Sequence, residues 1–115
     1  MTNFRSASLL ALAVSAVACD PVGRMQGTVV EAPTKTPVAD ADVTMDCGRG
    51  GTPVKTDAQG RYEATQVGFL DPKCTVEAKR DGYEAVRTPM GDRCAEGDKE
   101  RCYRGRVDLQ LTPKK

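Results

Sequence analysis

Two runs of alternating apolar residues, Pro37 to Cys47 and Tyr62 to Ala78, are joined through the stretch Thr56-Asp57-Ala58-Gln59-Gly60-Arg61-Tyr62. Asp57 and Gly60 stand first and last in a four-residue turn. The Asp carboxylate accepts from backbone N–H groups two residues on, and Gly takes positive φ without a Cβ clash. This spacing predicts a β-hairpin with a short Gly-containing loop. No window keeps a helical period and no internal repeat is present, so strands have to supply the core.

The clearest period of two runs from Ala39 to Cys47. Ala41, Val43, Met45 and Cys47 fall on one face, and Asp40, Asp42, Thr44 and Asp46 on the other, as in a half-buried strand. An opening strand over Gly23 to Glu31 puts Met25, Gly27 and Val29 together. Tyr62 and Ala64 point inward after the turn, and Cys74, Val76 and Ala78 alternate with Thr75, Glu77 and Lys79. Asp81-Gly82 signals a turn before a strand from Tyr83 to Arg87. Pro89 to Arg101 shows no apolar alternation and is expected to be a loop. A last strand runs from Cys102 to Leu111, with Val107, Leu109 and Leu111 inward. About seven short strands separated by turn signals make an all-β sandwich.

The chain also carries an address. A short basic start precedes Ala7 to Ala18, an apolar run too short to cross about 30 Å of hydrocarbon as a helix. Residues 1–18 read as a signal peptide, leaving 115 − 18 = 97 residues beginning at Cys19. Small residues before a cysteine at the end of such a run resemble the lipobox of bacterial lipoproteins. That resemblance implies lipidation of Cys19 and a membrane anchor in the cell envelope. Ala16 stands where Leu is usual, so cleavage of an ordinary A-x-A site, giving a soluble periplasmic or secreted protein, is the alternative. An Asp after the cysteine, here Asp20, resembles a retention signal for the inner membrane, though the rule varies among bacteria.

Composition excludes several classes. The three serines and the only Asn lie within residues 1–18, and there is no His or Trp. Ser-His chemistry is closed to residues 19–115, and so are ordinary catalytic zinc sites. With Arg5 removed, 16 basic residues face 16 acidic ones. Such a balance carries no electrostatic footprint for nucleic acid, nor a pull toward anionic lipid.

Gly27-Thr28-Val29, then Pro37-Val38 with Ala41 and Val43, then Thr56-Asp57 with Gly60 and Tyr62, then Gly82-Tyr83, and finally Leu109 and Leu111 occur in a familiar order. Over residues 23–112 the chain resembles a carboxypeptidase regulatory-like domain. That resemblance implies a transthyretin-like, seven-stranded Greek-key β-sandwich between a short linker (19–22) and a polar tail (113–115). Asp40 departs from the family, where Gly is common, and Cys74 stands where an aromatic usually opens the strand. Such domains accompany other activities and rarely catalyse.

Beyond Cys19 four cysteines remain, and they allow three pairings. Cys94 and Cys102 bracket the loop AEGDKER, which a bond would pin. The family fold implies that the strand ending at Cys47 and the one beginning at Cys74 are antiparallel neighbours, so Cys47 pairs with Cys74 and Cys94 with Cys102. A zinc site of four thiolates is the alternative, but its ligands usually come in close pairs such as C-x-x-C, and the spacings here are long.

Asp40, Asp42, Asp46 and Asp57 suggest calcium, which takes about six to eight oxygens. Spread along one strand they do not wrap an ion, and a solvated face plus an Asx turn is the preferred reading. Paired carboxylates for glycoside hydrolysis would need a sugar cleft, and the chain has few aromatics to line one. The segment Gly91 to Arg106 is the densest in charge. Within it Arg101, Tyr103, Arg104 and Arg106 are the candidate partner-binding residues, because Tyr and Arg anchor interfaces. The expectation is a non-enzymatic envelope lipoprotein with a protein or envelope-component partner, no cofactor and no metal. The alternative is a soluble ligand carrier or carbohydrate-binding module.

Overall fold

Alternation sorts the side chains as the sequence predicts, and it does so in ten strands. The computed structural model describes residues 21–115; the leader and Cys19 lie outside them. The first strands are β1 (Val22–Glu31), β2 (Asp42–Asp46), β3 (Val54–Lys55), β4 (Arg61–Val67) and β5 (Thr75–Lys79). Then come β6 (Tyr83–Glu84), β7 (Val86–Pro89), β8 (Cys94–Gly97), β9 (Cys102–Arg106) and β10 (Leu109–Pro113). One sheet is centred on β1, with β4 antiparallel on one side and β9 and β10 parallel to it; β8 extends β9 and β6 extends β10. The second sheet runs β3-β2-β5-β7. The protein is an all-β sandwich.

Its core lies between the sheets. Met25, Val29, Tyr62, Ala64, Leu109 and Leu111 come from the first sheet, and Val43, Met45, Val76 and Ala78 from the second. Removing this apolar surface from water is the main force that holds the layers together. Leu70 and Met90 are also fully buried, although both stand in stretches without alternation. Tyr83 is half-buried against the core, and its hydroxyl donates to Glu31 at 2.8 Å.

Five expectations are corrected. The Asp57–Gly60 turn forms, but it is not a hairpin loop. Gly60 N–H donates to the Asp57 carbonyl at 2.9 Å and Gly60 has φ +75°. Asp57 Oδ1 accepts from the N–H groups of Gln59 and Arg61, both at 2.9 Å. Yet β3 pairs with β2 and β4 pairs with β1, so the turn is a corner between sheets. Gly60 also presses on β1: its carbonyl accepts from Val29 N–H at 2.7 Å, and a Cβ there would lie 2.5 Å from the Val29 carbonyl oxygen.

The stretch Pro89 to Arg101 is not wholly loop, because β8 occupies Cys94–Gly97 and pairs with β9. Three of its four residues are exposed, so the strand has no apolar face to announce it. Asp40 is not on a strand face; it sits in a turn before β2 with φ +57°, a conformation Asp tolerates better than most residues.

The last strand is interrupted. Arg24 faces Arg104 and Val29 faces Leu109, a constant offset of 80, so β9 and β10 are halves of one strand broken at Val107-Asp108. β6 and β7 are likewise halves of the Tyr83–Arg87 stretch, parted at Ala85 and given to different sheets. With those halves joined, the ten strands reduce to eight, one of them β8.

Candidate contact surface

The break at Val107-Asp108 is built by three residues of the family-like motif. Gly27 lacks a Cβ, and the Val107 backbone passes through the space that one would fill. The displaced Val107 carbonyl accepts from the Tyr62 hydroxyl at 2.7 Å. In place of the missing ladder bond, Asp108 Oδ1 accepts from Thr28 N–H at 2.9 Å and from the Thr28 hydroxyl at 3.1 Å. Burial pushes the Tyr62 phenol far above its usual range, so it keeps the proton it donates to Val107.

Acidic groups elsewhere hold the backbone. Asp46 Oδ1 accepts from Gly48 and Gly50 N–H and closes the loop after β2. Asp42 pairs with Lys55 at 3.0 Å. Three of the four Asp residues considered for calcium, Asp42, Asp46 and Asp57, are thus engaged with separate partners, and among the described residues no three acidic or thiol groups gather as metal ligands. Cys47–Cys74 and Cys94–Cys102 are both disulfides, which commits all four thiols and fits an exported, non-cytoplasmic protein.

These carboxylates give the fold an acid limit. The Gly48 N–H, then that of Gly50, holds Asp46 below the ordinary carboxylate range. The Arg61 N–H, with help from its side chain and from Gln59, does so for Asp57. At Asp108 burial pushes the pKa up, but Thr28 and Arg106 together outweigh it. Each group thus binds fewer protons folded than unfolded, so stability rises with pH through this range. Their contribution is complete above about pH 5 and is lost as pH falls through the depressed values. The denaturant midpoint is expected to fall steadily from pH 5 to pH 2, with a shallower slope in Asp57→Asn; a flat profile would refute the assignment.

The β8–β9 end carries the candidate partner-binding residues. Its tip is ordered by Asp98, whose Oδ1 accepts from Glu100 and Arg101 N–H at 3.0 and 2.8 Å. Cys94–Cys102 ties the two strands, and Leu70 and Cys102 exchange backbone bonds that join this hairpin to the segment after β4. Arg104 pairs with Glu96 at 3.4 Å and Arg106 with Asp108 at 3.1 Å, so both cations are engaged. Arg101 is exposed, with no ion pair among the described residues. Tyr103 packs edge-on against Phe69, ring centres 5.0 Å apart and planes 77° apart, and stays 47% exposed.

Sequence reading missed the neighbours of Tyr103. Val22 and Val67 face each other across β1 and β4 and are 43% and 65% exposed. Gly68 N–H donates to the Pro21 carbonyl at 2.7 Å, and Phe69 and Leu70 follow. The exposed large apolar residues of the described chain thus collect at one end of the sandwich, where β1 begins. A signal was present: Val22 is out of phase with Met25, Gly27 and Val29, and Val67 with Tyr62 and Ala64.

The concavity lined by Gln26, Thr28, Lys55, Arg61, Glu63 and Arg106 is different in kind. It is polar, and Gln26 bonds Glu63, Arg61 bonds Asp57, Arg106 bonds Asp108 and Lys55 bonds Asp42. Groups engaged with one another offer a ligand little.

No protein-family model matches the chain, and no curated protein matches it in sequence. Among solved structures the fold is similar to hydroxyquinol 1,2-dioxygenase from Pseudomonas putida, with a TM-score of 0.60 and 11% identity over 85% of this chain and 58% of that one. It is also similar to 3-chlorocatechol 1,2-dioxygenase from Rhodococcus opacus (TM-score 0.58, 12% identity, 84% of this chain and 61% of that one). The group B streptococcus pilus 2b backbone protein matches with a TM-score of 0.54 and 14% identity, over 79% of this chain and 41% of that one. The chain spans about three-fifths of the length of those two dioxygenases, and at such identities the likeness is one of fold alone.

Proposed function

We propose that this chain is a non-enzymatic lipoprotein of a bacterial cell envelope, a carboxypeptidase regulatory-like sandwich tethered through Cys19 and working by contact at its β8–β9 end. One observation carries the non-catalytic reading: the polar groups with perturbed environments are spent on the fold. Asp46, Asp57 and Asp108 hold backbone N–H groups, and the buried Tyr62 hydroxyl holds Val107. The family reading draws support from Gly27 and Thr28 on β1 and Tyr62 on β4, which meet at one break.

The anchor is tested by the mass of the mature N-terminus and by partition into detergent. The expected result is a diacylated Cys19 and recovery in the detergent phase, with Cys19→Ala released into water or stalled as the precursor. Recovery of the native chain as an unmodified, water-soluble protein beginning at Cys19 would replace the tethered module with a soluble carrier.

A further inference from the structure

We propose that the apolar end of the sandwich rests on lipid: Val22, Val67, Phe69 and Tyr103 sit in the head-group layer of the membrane to which Cys19 is attached. The inference rests on the anchor reading and names the partner of the contact end. Its first support is concentration. The large hydrophobic residues left exposed on the described surface, Val22, Val67 and Tyr103, are joined through backbone pairing of β1 with β4, the Leu70–Cys102 bridge and the Phe69–Tyr103 stack. A rigid surface needs no ordering on contact, and the disulfide and two strand pairings make this one rigid.

The second support is the length of the tether. Only Asp20 and Pro21 separate Cys19 from Val22. Three residue steps span at most about 11 Å. A sulfur-linked lipid at Cys19 would therefore hold the start of β1 within that distance of the lipidated residue. A folded domain is about 30 Å across and does not fit in such a gap, so lipid faces this end. The chemistry agrees: aromatic and aliphatic side chains settle at the boundary between head groups and acyl chains, where a Tyr hydroxyl stays wet. Arg101, exposed on the adjoining turn, is placed beside lipid phosphates.

The chain has no Trp, so one introduced Trp is an unambiguous reporter. The lipidated protein carrying Val67→Trp is incorporated into phosphatidylethanolamine–phosphatidylglycerol vesicles whose acyl chains are brominated near the head group. Gln110→Trp is the comparison: Gln110 is exposed beside Val30, eight residues along β1 and about 26 Å from the patch. An interfacial depth of about 5–10 Å predicts at least about twofold greater loss of emission for Val67→Trp than for Gln110→Trp. Val22→Trp should behave as Val67→Trp does, and it stands in if the latter fails to fold.

Vesicle flotation and the N-terminal mass separate the two claims. If the protein is lipidated and floats but the reporters are quenched equally, the patch is overturned and the anchor stands. If Cys19 carries no lipid and the protein does not float, both fall. If Val67→Trp emission is already blue-shifted in Cys19→Ala without vesicles and that chain sediments as a dimer, a second copy covers the patch and the proposal is wrong.

Discussion

Gly27→Ala is expected to remove a large part of the stability of this domain. The glycine has ordinary φ, so its value lies in space rather than conformation. A Cβ there would stand 2.7 Å from the Val107 carbonyl carbon and 2.9 Å from Tyr62 Cε2, and closer still to the Val107 oxygen. The obstacle is backbone, which cannot rotate aside as a flexible side chain does. Accommodation requires β1 to separate from β9–β10, which also breaks the Tyr62 and Asp108 bonds that replace the ladder at the break. Overpacking alone costs about 1–3 kcal/mol, and with the lost bonds the expected total is about 4 kcal/mol or more. A domain of this size has about 5–15 kcal/mol in all, so Tm should fall by about 15 °C or the protein should fail to accumulate.

Two comparisons fix the cause. Tyr62→Phe keeps the ring and leaves the Val107 carbonyl without its donor, at an expected cost of about 1–3 kcal/mol. Gly82→Ala tests conformation without crowding, because Gly82 has φ +88° and nothing within 4 Å of a Cβ. Its cost is expected near 1 kcal/mol. Equal effects of Gly27→Ala and Gly82→Ala in thermal melts would refute the account of the break.

The same break shows where the sequence is silent. Val107, Leu109 and Leu111 keep one alternation across it, because the interruption turns a carbonyl aside and does not shift the register. Periodicity therefore reads one strand. The Asp57–Gly60 turn has the chemistry of a tight turn whichever strands it joins, so its residues are legible and its partners are not. β8 was illegible because its pairing is backbone and disulfide with no buried face. By contrast the inward sets of β1, β2, β4 and β5 follow directly from parity, and the opposite phase of Val22 and Val67 matches their exposure. Tyr103 was legible as a surface aromatic, whereas the engagement of Arg104 and Arg106 with Glu96 and Asp108 required the positions of neighbouring strands.

Removal of the Cys47–Cys74 bond is expected to be the other large loss. Asp46 faces Thr75 in the β2–β5 ladder, so Cys47 and Cys74 close the end of an antiparallel pair at the centre of the second sheet. The bond joins residues 27 apart in sequence, against 8 for Cys94–Cys102. Loop-closure entropy then gives about 3.6 kcal/mol for the first and about 2.6 kcal/mol for the second. Packing does not separate the two, because Cys74 and Cys102 are both fully buried while Cys47 and Cys94 are both partly covered. The Cys47→Ala/Cys74→Ala double variant is therefore expected to lower Tm by about 15 °C, about 1.4 times the loss for Cys94→Ala/Cys102→Ala. Paired removal matters, since a single substitution leaves a free thiol able to exchange with the surviving bond. The melts are read with non-reducing peptide maps of each variant. If the Cys94–Cys102 variant were the less stable of the two, the β8–β9 hairpin and not the β2–β5 pair would be what keeps the sandwich closed.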